Sequence, residues 1–312
     1  MAIYYKYYSY LPPEYFERPT IKIASPAHLN DPFESLLPDD IKKYIEQFAE
    51  DNQSTLNYEK ELVVKALNNV MRSFGVTSLS ETQRNLLMWA HYANEHQGLC
   101  IGYDTDIIFD KKTKKMLKED AELKKVNYDT VRHEDYGNLK KMEGMKEFVD
   151  YILQKIMLTK GNDWIYEKEH RYIVDLGMSS YVQVPRDNKK RPDELNKKIN
   201  SMIERNVIIE KEISKNPDVT CYIPSTQDAR IGFGYLNFHK EASYFLNINP
   251  KSIKRVYFGC RTPNQQIKEI FDAIIENKNI FDGVLVNRMQ LSKKRFELCI
   301  PAEFEAFVSP DS

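Results

Sequence analysis

Three short stretches of this chain hold ionisable and hydrogen-bonding side chains at spacings that suit chemistry. In Glu167-Lys168-Glu169-His170-Arg171, charges crowd the start of an otherwise apolar run, Tyr172-Ile173-Val174. Extended geometry would send Glu167, Glu169 and Arg171 to one side and Lys168, His170 and Tyr172 to the other. An arginine between two carboxylates holds them ionised and fixed, and Trp164 and Tyr166 just upstream make the stretch resemble a cleft. A solvent-facing edge strand would carry the same pattern for solubility alone. The second stretch, Asn30-Asp31-Pro32-Phe33-Glu34, is a rigid polar turn. Asx side chains bond nearby amides, Pro32 confines Asp31 to extended conformations, and Phe33 is suited to anchor the loop. It is either plain architecture or the rim of a ligand pocket to which Asn30, Asp31 or Glu34 contributes. The third, Trp89-Ala90-His91-Tyr92, reads as helix, with Glu95 four residues beyond His91 and so able to hold one imidazole tautomer. A satisfied, partly buried histidine is the plain alternative. His91 and His96 are five apart, the wrong spacing for a shared helical metal face, and no metal is expected there.

These stretches must be positioned by the elements around them. Alternation and turn residues predict strands over Ile3–Tyr10, Thr20–Ala24, Phe74–Leu79, Leu99–Tyr103, His170–Leu176, Ile253–Phe258, Gly283–Arg288 and Phe296–Pro301. Helical periodicity runs over 38–48, 58–72, 143–160 and 264–276, with one further stripe between 185 and 216. Ser80, with Gln83 three residues on, has the spacing of a capping box opening a helix that runs to about His96 and stops at Gly98. The fold class expected is α+β, a central mixed or antiparallel sheet joined by strands from both ends of the chain. It forms a single elaborated domain with helical insertions near 38–72 and 105–160.

Composition narrows the function classes. The 45 basic and 46 acidic residues nearly cancel, which excludes an overall positive field that gathers nucleic acid indiscriminately. Seven lysines between Lys111 and Lys125 read most simply as a solvated face, with a nucleic-acid contact as the alternative. The four cysteines form no Cys-x-x-Cys pair and read as buried thiols of a reducing compartment. No apolar run approaches the roughly 20 residues that cross a bilayer, and the tyrosine-rich start does not read as a signal peptide. A cytoplasmic protein without a membrane partner is therefore expected.

Taken together, Tyr5-Lys6-Tyr7, Asn30-Asp31-Pro32-Phe33-Glu34, Met88-Trp89-Ala90-His91-Tyr92-Ala93 running on to Gly98-Leu99-Cys100-Ile101-Gly102-Tyr103, Glu167-Lys168-Glu169-His170-Arg171 and Val256-Tyr257-Phe258-Gly259 resemble domain of unknown function 2971, a mostly bacterial family. The family name implies no activity. The order of an aromatic first strand, a central Tyr/His region and a late Glu-x-Glu also resembles ADP-ribosyltransferases. That resemblance implies NAD as co-substrate, with Glu169 as the carboxylate that stabilises the oxocarbenium-like state and Glu167 assisting the acceptor. Lys6 or Tyr7 would take the first-strand position, while His91 and Tyr92 would bind the nucleotide or stack on nicotinamide. Asn30, Asp31 and Arg171 complete the candidate nucleotide-binding set. The chain departs from the pattern in showing no first-strand His or Arg and no Ser-Thr-Ser.

The leading reading is an NAD-consuming ADP-ribosyltransferase-like enzyme, a toxin or phage-defence effector, acting on a protein or nucleic-acid acceptor. Two alternatives stand beside it. One is a metal-dependent nuclease or other hydrolase built on Asp31, Glu34, Glu167 and Glu169. The other is a non-catalytic module that senses a nucleotide or nucleic acid.

Overall fold

The structure, a computed structural model of the 312-residue chain, describes residues 2–34, 38–51, 60–107, 122–132, 145–300 and 306–307. In chain order its strands are β1 (Ile3–Tyr8), β2 (Thr20–Ile23), β3 (Phe74–Ser80), β4 (Leu99–Asp104), β5 (Lys124–Lys125), β6 (Asn127–Asp129), β7 (Thr159–Gly161), β8 (Glu169–Asp175), β9 (Tyr181–Pro185), β10 (Ile208–Glu210), β11 (Val219–Pro224), β12 (Ser243–Asn247), β13 (Ile253–Phe258), β14 (Leu285–Arg288), β15 (Gln290–Leu291), β16 (Leu298–Cys299) and β17 (Ala306–Phe307). The longer helices are α1 (Asp39–Asp51), α2 (Lys60–Arg72), α4 (Met145–Met157), α5 (Asp193–Glu204) and α6 (Asn264–Glu276), with the short α3 (Leu86–Tyr92) between β3 and β4.

The result is a mixed α+β fold. An eight-stranded sheet has the order β17-β14-β13-β4-β1-β3-β8-β5, antiparallel except where β13 and β14 run parallel across the α6 crossover. Every residue of β4 is buried, as expected of a strand paired on both edges and covered on both faces. A second sheet, β10-β11-β9-β12-β2, is antiparallel throughout. One core cluster draws Ile101, Tyr172 and Val174 from the first sheet and Ile21, Val182 and Tyr244 from the second. A backbone bridge between Ala24 and Val76 also ties β2 to β3. The inserted helices build their own core: Ile41, Ile45 and Phe48 recur at helical spacing on α1, and the Phe48 ring stacks 4.1 Å from that of Phe148 on α4.

Several expectations are corrected by these elements. Strands from both ends of the chain, β1 with β13 and β14, do join one central sheet, but β2 leaves it and pairs with β12 in a second. The late strand expected over Phe296–Pro301 shrinks to β16, which closes a small hairpin with β15 outside the main sheet. Ser80 does not cap a helix; it ends β3, and its hydroxyl donates to the Glu167 carbonyl at 2.6 Å. The cap is Asn85, whose Oδ1 accepts from the amides of Leu87 and Met88. Cys100 and Cys221 are buried, whereas Cys260 and Cys299 are half-buried. Of the lysine stretch 111–125, only Lys124 and Lys125 lie within the described residues.

Candidate active site

A cavity of about 440 Å³ opens where β1, β3 and β8 present adjacent side chains and α3, β7 and the Asn30–Glu34 turn close over them. Antiparallel register makes the arrangement. Ser80 of β3 faces both Tyr5 of β1 and Glu169 of β8, so Lys6, Ser78, Glu169 and Arg171 share one neighbourhood.

The floor of the cavity is a buried ion network. Arg171, with no exposed surface, grips Glu169 in a fork, Nε to Oε1 at 2.7 Å and Nη2 to Oε2 at 2.9 Å. Its Nη2 also lies 2.5 Å from Glu34 Oε1, and Nη1 donates to the Met157 carbonyl at 2.7 Å. The Lys160 ammonium sits 2.6 Å from Glu167 Oε2, 3.3 Å from Glu169 Oε2 and 3.9 Å from Glu34 Oε2. Three carboxylates and two cations are thus withdrawn from water together, an arrangement that is tolerable only because each charge meets an opposite one. Tyr92 completes it by donating to Glu167 Oε1 at 2.5 Å, and Asn30 lies within hydrogen-bonding reach of the same hydroxyl.

Glu167 and Glu169 are driven apart by these surroundings. Burial alone would raise both. At Glu169 the charge and hydrogen bonds of Arg171, helped by Lys160, win and pull the carboxyl down to about 2. At Glu167 burial wins over Lys160, with Glu169 adding to it, and the proton affinity rises above the ordinary carboxylate value. Glu34 is likewise raised, chiefly by burial, against the pull of Arg171 and Lys160. Burial works against the Lys160 ammonium too, but Glu169, Glu167 and Glu34 outweigh it and hold its proton firmly. Lys6 is the contrast: burial and the nearby Lys22 bring it down to about 8 despite Glu169, and its ammonium donates to the Ser78 carbonyl at 3.1 Å. Among the described residues neither Lys6 nor Lys22 has a carboxylate within 4.0 Å.

Of the residues singled out in the sequence, Lys6, Tyr7, Asn30, Tyr92, Glu167, Glu169 and Arg171 line this one cavity. Tyr7 is anchored: its hydroxyl donates to the Thr82 carbonyl at 2.7 Å and its ring meets Trp89 edge-on. Glu167 arrives by an unexpected route. It ends a 3-10 turn, Asn162–Glu167, and left-handed Lys168 (φ 46°) then swings the chain into β8, so the extended alternation begins only at Glu169.

Two of the singled-out residues stand outside this cavity. Asp31 is buried, but its Oδ1 accepts the Phe33 amide at 2.9 Å, and it lines a neighbouring cavity of about 340 Å³ that shares Glu34 and Lys160 with the first. His91 is exposed, lines neither of these cavities, and among the described residues its ring contacts are with Tyr92 and Tyr166. Its pairing with Glu95 is lost because α3 stops at Tyr92, and Asn94, Glu95 and His96 are all left-handed. That turn leads into Gly98, where a Cβ would meet the Tyr8 carbonyl at 2.1 Å.

Lys22 and Lys160 were not legible as site residues. Lys160 lies on a three-residue strand whose parallel pairing with β6 alone carries it under the glutamates. No signal in the sequence marks it. Among the described residues no group of three or more His, Cys, Asp or Glu side chains is arranged to hold a metal. No helix among them is long and apolar enough to cross a membrane.

A family profile described as "Protein of unknown function (DUF2971)" matches residues 88–172. The matched stretch carries Tyr92, Lys160, Glu167, Glu169 and Arg171, and so most of the ion network. The resembling segments at Tyr5–Tyr7, Asn30–Glu34 and Val256–Gly259 lie outside it. Neither the curated proteins nor the solved structures contain a match.

Proposed function

We propose that the chain is an enzyme acting on a nucleotide of the NAD class, breaking the bond from ribose C1′ to nicotinamide and passing the ribosyl group to water or to a macromolecular acceptor. The observation that carries this reading is the opposite displacement of Glu169 and Glu167 within one cavity and beside one shared ammonium. As the C1′–N bond breaks, its electron pair leaves with nicotinamide and positive charge develops on the ribose. A carboxylate held ionised at every physiological pH stabilises that charge. As the new bond to C1′ forms, the acceptor loses a proton, and Glu167, with its raised affinity, is the group to take it.

Lys6 and Lys22 supply positive charge for the pyrophosphate from a cavity wall where no carboxylate of the described residues lies within 4.0 Å of them. The metal-dependent alternative draws less support. Lys160 and Arg171 already stand among Glu34, Glu167 and Glu169, supplying the charge a divalent ion would bring, and Asp31 faces the other cavity. Incubation of the protein with radiolabelled NAD and cell lysate is expected to release nicotinamide and label an acceptor or yield free ADP-ribose, both lost in Glu169→Gln. The absence of nicotinamide release with every lysate fraction would overturn the reading.

A further inference from the structure

The β15–β16 hairpin and the cavity beside it have no part in the chemistry above. That cavity, about 500 Å³, lies at the carboxyl ends of the parallel strands β13 and β14, where open sheets commonly receive ligands. His96, Cys260, Arg261 and Arg288 line it together with Gln290 and Leu291 of β15. Arg288 is built in: Nη1 donates to Asn264 Oδ1 at 2.8 Å, and Nη2 to the carbonyls of Cys260 and Thr262 at 3.0 Å each. No carboxylate of the described residues stands within 4.0 Å of either arginine.

Beyond Leu291 the chain enters the loop Ser292-Lys293-Lys294-Arg295-Phe296-Glu297. Ser292 Oγ accepts the amides of Lys294 and Arg295 at 3.3 and 3.2 Å, and the Ser292 amide donates to the Glu297 carbonyl at 3.0 Å. The loop is therefore a fixed turn that holds three consecutive cations in water beside Phe296, whose relative exposure is 103 %. Glu297 is its single carboxylate.

We propose that this face binds single-stranded nucleic acid, with the sugar-phosphate backbone along Lys293, Lys294 and Arg295 and on toward Arg261, and an unstacked base resting on Phe296. Clustered cations without carboxylate partners release counterions when phosphates replace them, and an aromatic ring with an open face stacks on any base. With a formal net charge of −1 for the whole chain, the attraction is local to this face. A duplex offers no unstacked base to the ring. An anionic membrane would meet the same cations, but on this hairpin only Phe296 and the exposed Leu291 could enter it, and so little apolar surface gives only weak insertion.

Fluorescence anisotropy with a labelled oligo(dT) or oligo(U) of about 12 nucleotides, a length within the usual site sizes, tests this directly. Binding is expected, with log K falling against log salt at a slope of about −3, roughly −0.7 for each of four phosphate contacts. Triple charge reversal of Lys293, Lys294 and Arg295 to glutamate should weaken it at least tenfold and flatten that slope. Phe296→Ala should weaken it about tenfold with the slope unchanged. Arg261→Ala, at an exposed side chain across the cavity from β15, should weaken it severalfold, and nicotinamide release from NAD should be unaffected in all three variants. Absence of oligonucleotide binding, binding indifferent to these changes, or preferential capture by phosphatidylserine vesicles would overturn the proposal.

Discussion

In the cavity under β1 and β8, Arg171 is wholly buried and Glu34, Lys160, Glu167 and Glu169 each have an opposite charge within 4.0 Å. At the β15–β16 hairpin, Lys293, Lys294 and Arg295 stand in water with no such partner among the described residues. Charge that has left water needs its counter-charge to persist, so the cavity is a set of mutual dependencies and displaced proton affinities. Charge that stays in water needs nothing, and its surplus is left to attract a partner. The first arrangement favours chemistry on a small molecule, the second recognition of a large one.

The largest effect should follow from breaking the buried set. Arg171→Ala leaves Glu169 and Glu34 without their guanidinium and is expected to cost about 3–5 kcal/mol in a urea titration. A loss below about 1 kcal/mol would mean that the network is not the closed unit described. Acid should come next. Because Glu169 is held at about 2 when folded, its contribution is present above the ordinary carboxylate pKa and is lost as pH falls toward 2. The size is about 3 kcal/mol for a shift of this order, so Glu169→Gln should remove much of the acid slope of the thermal midpoint. Glu167, raised rather than lowered, has the opposite sign, and Glu167→Gln should leave that slope in place.

Lys6 comes third. It is charged below about pH 8 with Glu169 in place, so affinity for a non-cleavable NAD analogue, measured calorimetrically on the wild-type protein, should hold below that point and fall above it by up to about tenfold per pH unit. A flat profile would remove Lys6 from the anion site. The smallest effect belongs to the surface: triple charge reversal at Lys293, Lys294 and Arg295 should shift stability by less than about 0.5 kcal/mol. A larger loss would mean that the hairpin cations support the fold.

Much of this was written in the sequence, unevenly. The pairing of Glu169 with Arg171 followed from strand alternation, and α6 and β13 appear within the expected bounds because their periodicity is strong. Glu167 belongs to the site although the geometry expected for it was wrong, since a left-handed lysine is not visible in a hydrophobic pattern. The expected pairing of His91 with Glu95 failed because the helix ended a turn early, in three left-handed residues that no capping rule foretells. Lys160 could not have been found, since only the pairing of two three-residue strands brings it under the carboxylates. The second sheet was hidden for a related reason: β2 pairs with β12, more than two hundred residues away.

Nicotinamide release from NAD by the wild-type protein, Glu167→Gln and Glu169→Gln, measured side by side with the acceptor fraction present, tests the central assignment most directly. The expected result is turnover by the wild type, a loss of about 100-fold or more in Glu169→Gln, and a smaller loss in Glu167→Gln that falls on transfer more than on bond breaking. Turnover retained in Glu169→Gln, or absent from all three proteins, would contradict it.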